Sequence, residues 1–370
     1  MSNVNPVGVS AVVIGAGQAG LAIAYHLARR GLVLGADAVV VDRGPDAGGA
    51  WQHRWESLRL GDAHRVHDLP GMDDAGLSFD SAPQHIPARE VVADYYRQYE
   101  QHFDVNVRRP VDVESVTRLD DGRLQVAGAG LDAPLAASVV IGAVGTWGSP
   151  REPEVPGTET FRGRQIATPE YTNAEEFAGM RVAVVGGGTS AIGFIRELDQ
   201  VGATTHWFTR RPAEFLDTNA VLTQNLGRES VRIQDEAARA GRELPSIVST
   251  TGIPLAPRIR ELRDRGRLER RPMFVRVITD GVVQQDGTVL PVDAIIWAIG
   301  FRAELTPFAP LGIDARAGVK VEHGHAVDTP GVFFAGYGPQ ASTISAERGA
   351  RRIARDASQY LIDSAWPPAT

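Results

Sequence analysis

The 370-residue sequence predicts an α/β protein built from two Rossmann-like dinucleotide-binding domains, one inserted into the other. Three observations predict it. An apolar run at residues 9–14 enters the loop Gly15-Ala16-Gly17-Gln18-Ala19-Gly20 and then apolar residues at helical spacing. A second run, 181–185, enters Gly186-Gly187-Gly188-Thr189-Ser190-Ala191 and another helical pattern, about 170 residues further on. Between and after these units, short apolar runs stop at small residues, at 139–145, 294–300 and 332–336.

Taken in order, residues 9–14 read as a strand buried on both faces, because the run is apolar but for Ser10 and is bounded by glycine. Residues 21–30 carry the helix, with Gly31 as its C-cap, and 38–41 form the next strand, ending at Asp42. This is a βαβ unit. The second unit repeats the plan, with a helix to about Gln200 and a strand from Thr204 that ends at Thr209-Arg210-Arg211. The spacing makes it a domain duplication, not a short-period solenoid. Proline-rich 149–156 reads as a linker, and 342–361 as a closing helix. The segment 212–273 is charged and irregular and gives no placement for its helices, while 258–271, where arginines alternate with acids, reads as a solvated helix.

The glycine loops carry the first chemistry. In such a turn the first glycine allows the tight bend, the second admits a pyrophosphate close to the backbone, and the third lets helix and strand pack. The helix N-terminus then presents unpaired N–H groups and a positive dipole end to the phosphates. Asp42 ends the second strand, where a carboxylate can accept hydrogen bonds from ribose hydroxyls. Its distance from Gly15 is longer than usual, which fits an extended helix-to-strand loop around 31–35. The second loop ends in Ala191, a permitted variant, and its second strand ends without a carboxylate. Arg210 and Arg211 there suit a 2′-phosphate, favouring NADPH and leaving NADH open; the other reading makes both solvated surface charges.

Composition bounds the rest. Hydrophobic residues make up 43% and charged residues 22%, the balance of a globular protein. A net charge of −7 argues against a sequence-independent nucleic-acid surface. The chain has no cysteine, which removes disulfides, thiolate metal sites, catalytic cysteines and redox dithiols. The first ten residues lack a basic stretch followed by an apolar core, and no apolar run reaches the roughly 18 residues that span a bilayer. A cytoplasmic protein with no membrane or nucleic-acid partner is expected. His64 and His67, like His323 and His325, have spacings a metal could use, but no third ligand is evident, so no metal is expected.

Several stretches resemble one family. Gly48-Gly49-Ala50-Trp51-Gln52-His53 looks like the flavin-contacting segment of the bacterial flavin-containing monooxygenases. Residues 143–148 and 297–302 look like their two small-residue linker motifs, and Phe161-Arg162-Gly163 matches the start of their fingerprint F-x-G-x-x-x-H-x-x-x-F/W. The similarity runs from about residue 9 to 351 and includes Gly336-Tyr337-Gly338. The resemblance implies an FAD-binding domain at 1–155 and 285–370 and an inserted NAD(P)H-binding domain at 156–284. It implies NADPH and FAD as cofactors, dioxygen and a small-molecule substrate as partners, and a homodimer.

Candidate FAD-domain contacts are Gly15, Gly17, Gln18, Ala19, Gly20, Asp42, Arg43, Gly49, Trp51, His53, Val113, Ala143, Gly145, Gly336 and Thr343. Candidates on the nicotinamide side and the linker are Gly186, Gly188, Thr189, Ser190, Ala191, Arg210, Arg211, Ala298, Gly300 and Arg302. The implied reaction transfers one oxygen atom from a flavin C4a-(hydro)peroxide to a thioether, amine or ketone. No covalent nucleophile is required, in keeping with the absent cysteines and the absent Gly-x-Ser-x-Gly elbow.

The departures define the alternatives. The fingerprint histidine position holds Ala167 and the last aromatic position holds Tyr171. Residues 61–68 should lie near the flavin ring by resemblance and are unusually polar, which makes Asp62 and His64 candidate contacts to the oxygen species; the competing reading has Asp62 capping a turn and His64 on the surface. Of the tryptophans, Trp51 suits a place near the flavin, while Trp55, Trp147 and Trp297 suit core or interface positions. The enzyme alternative is an NAD(P)H-dependent reductase serving an external acceptor without an internal disulfide. A non-catalytic redox sensor is the third class.

Overall fold

The computed structural model describes residues 5–63, 66–216, 220–245, 252–314, 316–338 and 343–364. Contacts divide the chain into two units, one of residues 1–148, 234–244 and 303–370, the other of 149–233 and 245–302.

In the first unit, β1 (Val7–Ile14) pairs in parallel with β2 (Ala38–Val41) and with β5 (Leu135–Gly142). A hairpin of β3 (Asp112–Arg118) and β4 (Leu124–Ala129) joins β5 antiparallel. On the other side, β18 (Val332–Phe334) lies parallel to β5 and continues through β17 (His325–Ala326) to β16 (Val321–Glu322). Val12, Val13, Val39, Val40 and Ile141 are fully buried, which is why these strands read as predominantly apolar runs. Helix α1 (Gln18–Ala28) buries Leu21, Ile23 and Leu27. It ends before the expected Arg30, with Arg29 as C-cap and Gly31 following at φ 93°. Helix α2 (Ala88–His102) and the closing helix α6 (Thr343–Asp363) complete this unit.

The second unit centres on an all-parallel sheet in the order β11 (Arg270–Pro272), β8 (Thr204–Thr209), β7 (Arg181–Val185), β15 (Ala294–Trp297), β6 (Arg164–Ala167). Helix α3 (Thr189–Gln200) links β7 to β8 and buries Ile192, Phe194, Ile195 and Leu198. Two smaller pairings accompany it: β9 (Phe215–Leu216) with β10 (Ile253–Pro254), and the antiparallel trio β12 (Arg276–Ile278), β13 (Gly281–Val283), β14 (Val289–Pro291). Helix α4 (Ala220–Arg239) and α5 (Pro257–Asp264) occupy the segment the sequence left unplaced.

Two boundaries differ from the sequence reading. The return to the first unit falls after Arg302, not at 285, because β15 hydrogen-bonds between β7 and β6 and so belongs to the second sheet. Residues 234–244 group with the first unit, where Ala238 sits 1% exposed in its core cluster. The expected solvated helix over 258–271 is also corrected. Only Pro257–Asp264 is helical, and Arg270–Pro272 is the edge strand β11. Among the described residues no helix is long and apolar enough to cross a membrane.

Candidate functional site

The two glycine loops are built alike, and the likeness explains the small-residue motifs. In the first unit the Gly15 amide donates to Val41 O at 2.7 Å and the Ala143 amide to Ile14 O at 2.8 Å. In the second unit the Gly186 amide donates to Phe208 O at 2.9 Å and the Ala298 amide to Val185 O at 2.8 Å. Gly15 has φ 105°, and a Cβ there would lie 2.3 Å from Ala143 O. Gly186 has φ 142°, and its Cβ would lie 2.1 Å from Ala298 O. Each leading glycine is therefore required twice, by its dihedral and by the strand end pressed against it. Gly20 packs as closely, since its Cβ would meet Gly15 O at 1.8 Å.

The other loop glycines are open. A Cβ on Gly17 would meet only Gly49 Cα, at 3.8 Å, and one on Gly188 would meet nothing within 4 Å. Gly17 and Gly188 are the N-caps of α1 and α3, both extended and both without a side-chain cap hydrogen bond. Backbone clearance beside an uncapped helix N-terminus is what a pyrophosphate needs, so both loops pass this test for a dinucleotide. Gln18, Ala19, Thr189, Ser190 and Ala191 form the first turns of these helices.

Around the first loop, Asp42 is buried at 9% exposure, with one oxygen accepting the Ala16 amide at 2.6 Å and the other the Gly44 amide at 2.7 Å. It fixes the loop as well as ending β2. Gly48 and Gly49 both take positive φ, and a Cβ on Gly49 would come within 2.7 Å of Gly17 Cα, so the segment 48–53 folds directly onto the loop. Trp51 is buried, and His53 keeps its outer side in solvent while partial burial of the ring and the nearby Arg43 hold the imidazole below its usual range, against the pull of Asp42. Arg43 packs its guanidinium on Gly148, where a Cβ would clash at 1.8 Å. Gly336, at φ 69°, lies against Ala19, where its Cβ would contact the alanine methyl at 3.3 Å. Val113 is buried within the core cluster of this unit, and Gly145 is exposed with φ 66°. Thr343 opens α6, but its side chain and the whole of His64 lie outside the described residues.

Asp62 closes a single 3₁₀ turn, Leu60–Asp62, and is half-buried. That turn is tied down by the Leu60 amide to Ile86 O and the Gly61 amide to Gln84 O. Gln18 Nε2 donates to His67 O at 3.4 Å, which sets residues 66–68 beside the first turn of α1. Sequence reasoning missed Arg54. Its guanidinium carbon lies 4.3 Å from the centroid of Trp147 and 5.4 Å from that of Trp51, and its Nε is buried without a partner among the described residues. Burial lowers its pKa to about 10, so it stays cationic at neutral pH. The signal for it, an arginine three residues after Trp51, was present but needed Trp147 to give it meaning.

In the second unit, Arg210 and Arg211 are exposed at the end of β8. Here too sequence reasoning missed a cation. Arg270, from the edge strand, donates through Nε to Thr209 Oγ1 at 2.8 Å and through a terminal nitrogen to Thr209 O at 3.2 Å. Ala298 is buried, Gly300 takes φ 88° with open space around it, and the Arg302 amide donates to Ser149 O. Among the described residues no group of three or more metal-ligating side chains is arranged to hold an ion.

Comparison with known proteins then places the chain. The pyridine nucleotide-disulphide oxidoreductase family matches residues 12–224. The flavin-containing monooxygenase from Stenotrophomonas maltophilia is 32% identical, covers 96% of this chain and 99% of its own, and superposes with a TM-score of 0.78. The chain belongs to this family, on its flavin-containing monooxygenase branch. Among curated relatives, the probable indole-3-pyruvate monooxygenase YUCCA9 of Arabidopsis thaliana is 30% identical over 80% of this chain and 75% of its own length. An uncharacterized CzcO-like oxidoreductase of Geobacillus kaustophilus is 24% identical over 96% and 97%. The disulphide of the family name has no counterpart here, since this monooxygenase-branch chain holds no cysteine.

Its fingerprint segment does structural work. Ala167 ends β6 in register with Trp297, and its amide donates to Glu170 at 2.7 Å. Trp297 is buried and donates from Nε1 to Gln165 Oε1 at 3.1 Å, while Trp55 is buried in the first unit. Tyr171 is 2% exposed, and its hydroxyl donates to Glu197 on α3 at 3.0 Å, between the rings of Phe177 and Phe194. Burial, with Glu197 beside it, pushes the phenol well above its usual range. Tyr171→Phe is expected to lower stability by about 1–2 kcal/mol, because a buried carboxylate loses a donor. An unchanged melting temperature would show that this hydrogen bond contributes nothing net.

Proposed function

We propose that the chain is an FAD- and NADPH-dependent monooxygenase, with FAD on the first unit and NADPH on the second, acting on a small thioether, amine or ketone. The observation that carries the reading is the duplicated loop: a leading glycine jammed against a strand end, then an open glycine at an uncapped helix N-terminus. The similarity to the Stenotrophomonas flavin-containing monooxygenase supports oxygen chemistry on this frame.

Bound FAD supplies hydride acceptance from nicotinamide and activation of dioxygen. The chain's own groups bind and position. Gly17 and the first N–H groups of α1 receive the FAD pyrophosphate, Asp42 accepts from the ribose hydroxyls with its remaining lone pairs, and Arg54 supplies positive charge beside Trp51. Gly188 and the first turn of α3 receive the NADPH pyrophosphate, and Arg210, Arg211 and Arg270 form the cationic group for a 2′-phosphate. Asp62 is the polar side chain offered to the oxygen species. This reading includes a cytoplasmic homodimer, which sedimentation of the purified chain tests.

Ala167 favours a second reading, an NAD(P)H-dependent reductase with an external acceptor, because a methyl group stands where the fingerprint has an imidazole. Stopped-flow mixing of the NADPH-reduced protein with oxygenated buffer separates the two. A monooxygenase is expected to show a transient near-ultraviolet absorbance, distinct from oxidised flavin and lasting seconds. Direct return to oxidised flavin, with one peroxide released per NADPH even when candidate substrates are present, would favour the reductase.

A further inference from the structure

A cleft of about 540 Å³ opens in the first unit between the C-terminal end of α1 and the face of α6, away from the glycine loop. Tyr25, His26, Arg29 and Arg30 line it from α1 and the turn that follows, and Arg351 and Ser358 from α6. His26 lies about 12 Å along α1 from Gln18, so the cleft is separate from the dinucleotide site.

Its charge is out of keeping with the chain as a whole, which has a net charge of −7. Several arginines elsewhere are matched to carboxylates: Arg109 to Glu100, Arg97 to Asp46, Arg181 to Asp293, Arg265 and Arg267 to Asp199. Among the described residues no carboxylate lines this cleft. Among the described residues Arg29, Arg30 and Arg351 have no ion pair and no side-chain hydrogen bond. The imidazole of His26 adds a buried Nε2, also without a partner among the described residues. Burial, with Arg351 and Arg30 close by, lowers its pKa to about 4, so it is neutral at pH 7 and adds no positive charge to the three arginines.

The negative end of the α1 dipole accounts for basic residues at 29 and 30. It does not account for Arg351, which arrives from another helix. Converging like charges repel unless an anion joins them. We propose that this cleft binds a phosphorylated small molecule, its dianionic phosphate held by Arg29, Arg30 and Arg351. The volume exceeds what a bare phosphate fills, and the Tyr25 ring and Ile362 give the ligand's body apolar contact.

The test is titration calorimetry on FAD-saturated protein at low ionic strength, with glucose 6-phosphate and inorganic pyrophosphate as probes. FAD saturation keeps pyrophosphate out of the first glycine loop, NADP+ added to saturation keeps it out of the second, and the flavin absorbance reports separately whether the first is filled. Binding of at least one probe, one per chain, is expected. Arg30→Ala and Arg351→Ala should each weaken it about tenfold or more, since each removes a charge-assisted hydrogen bond. Arg355→Ala, which takes the same charge from an exposed site on α6, should not. Far-ultraviolet dichroism and flavin content establish that the variants are folded. No heat with either probe at millimolar concentration, or equal binding by Arg30→Ala, Arg351→Ala and the parent chain, overturns the proposal. Binding to vesicles containing phosphatidic acid but to neither soluble probe would also overturn it, in favour of a lipid headgroup.

Discussion

Gly17→Asp is expected to give a folded chain that does not retain FAD. The position is unstrained at φ −80°, and a side chain leaving it would meet only Gly49 Cα at 3.8 Å, so the fold has room for the change. What the change occupies is the approach to the N-terminus of α1, and the carboxylate it adds would repel a pyrophosphate there. A loss of about 100-fold or more in FAD affinity, near 3 kcal/mol, is expected by flavin fluorescence titration. Gly15→Ala should behave in the opposite way. Its φ of 105° and the contact at 2.3 Å with Ala143 O mean that the loop itself must move. That variant should unfold early, with a cost of about 3 kcal/mol or more, whether or not FAD is present. If Gly17→Asp bound FAD normally, the first loop would not be the pyrophosphate site.

The second large effect concerns the choice of nicotinamide. Replacing Arg210 and Arg211 together by alanine is expected to lower kcat/KM for NADPH about 100-fold while leaving NADH within about twofold. Both side chains are exposed at the end of β8. Arg270 is tied to Thr209 by two hydrogen bonds, so it braces the strand end as well as adding charge. Arg270→Ala alone should therefore lower activity with both nicotinamides and shift their ratio less. Equal losses with NADPH and NADH in the double variant would assign Arg210 and Arg211 to the shared part of the dinucleotide. No loss with either would make them surface charges.

The sequence made the two βαβ units readable because each signal lies within a few residues: an apolar run, glycines with demanding dihedrals, then apolar residues at helical spacing. Asp42 and the paired arginines after Thr209 were legible for the same reason, as strand-end residues placed by counting. Arg270 was not. It sits in a charged stretch whose composition reads as a solvated helix, and only the parallel register of β11 on β8, more than sixty residues away, shows it as a strand residue anchored to Thr209. Arg54 needed Trp147, and Arg351 needed α1, before either had a chemical setting.

By itself, the sequence determined the α/β class, the duplication, the glycine loops and the absence of thiol chemistry, because each is set by local sterics or by composition. The tertiary structure decided where the units divide. An apolar run such as 294–297 can satisfy its backbone in either sheet, and only its hydrogen bonds to β6 and β7 assign it to the second. It also decided why the small-residue motifs are small: Ala143 and Ala298 end strands that press their carbonyls onto Gly15 and Gly186. That constraint acts across the sheet, between residues more than a hundred positions apart, and no window of sequence contains it.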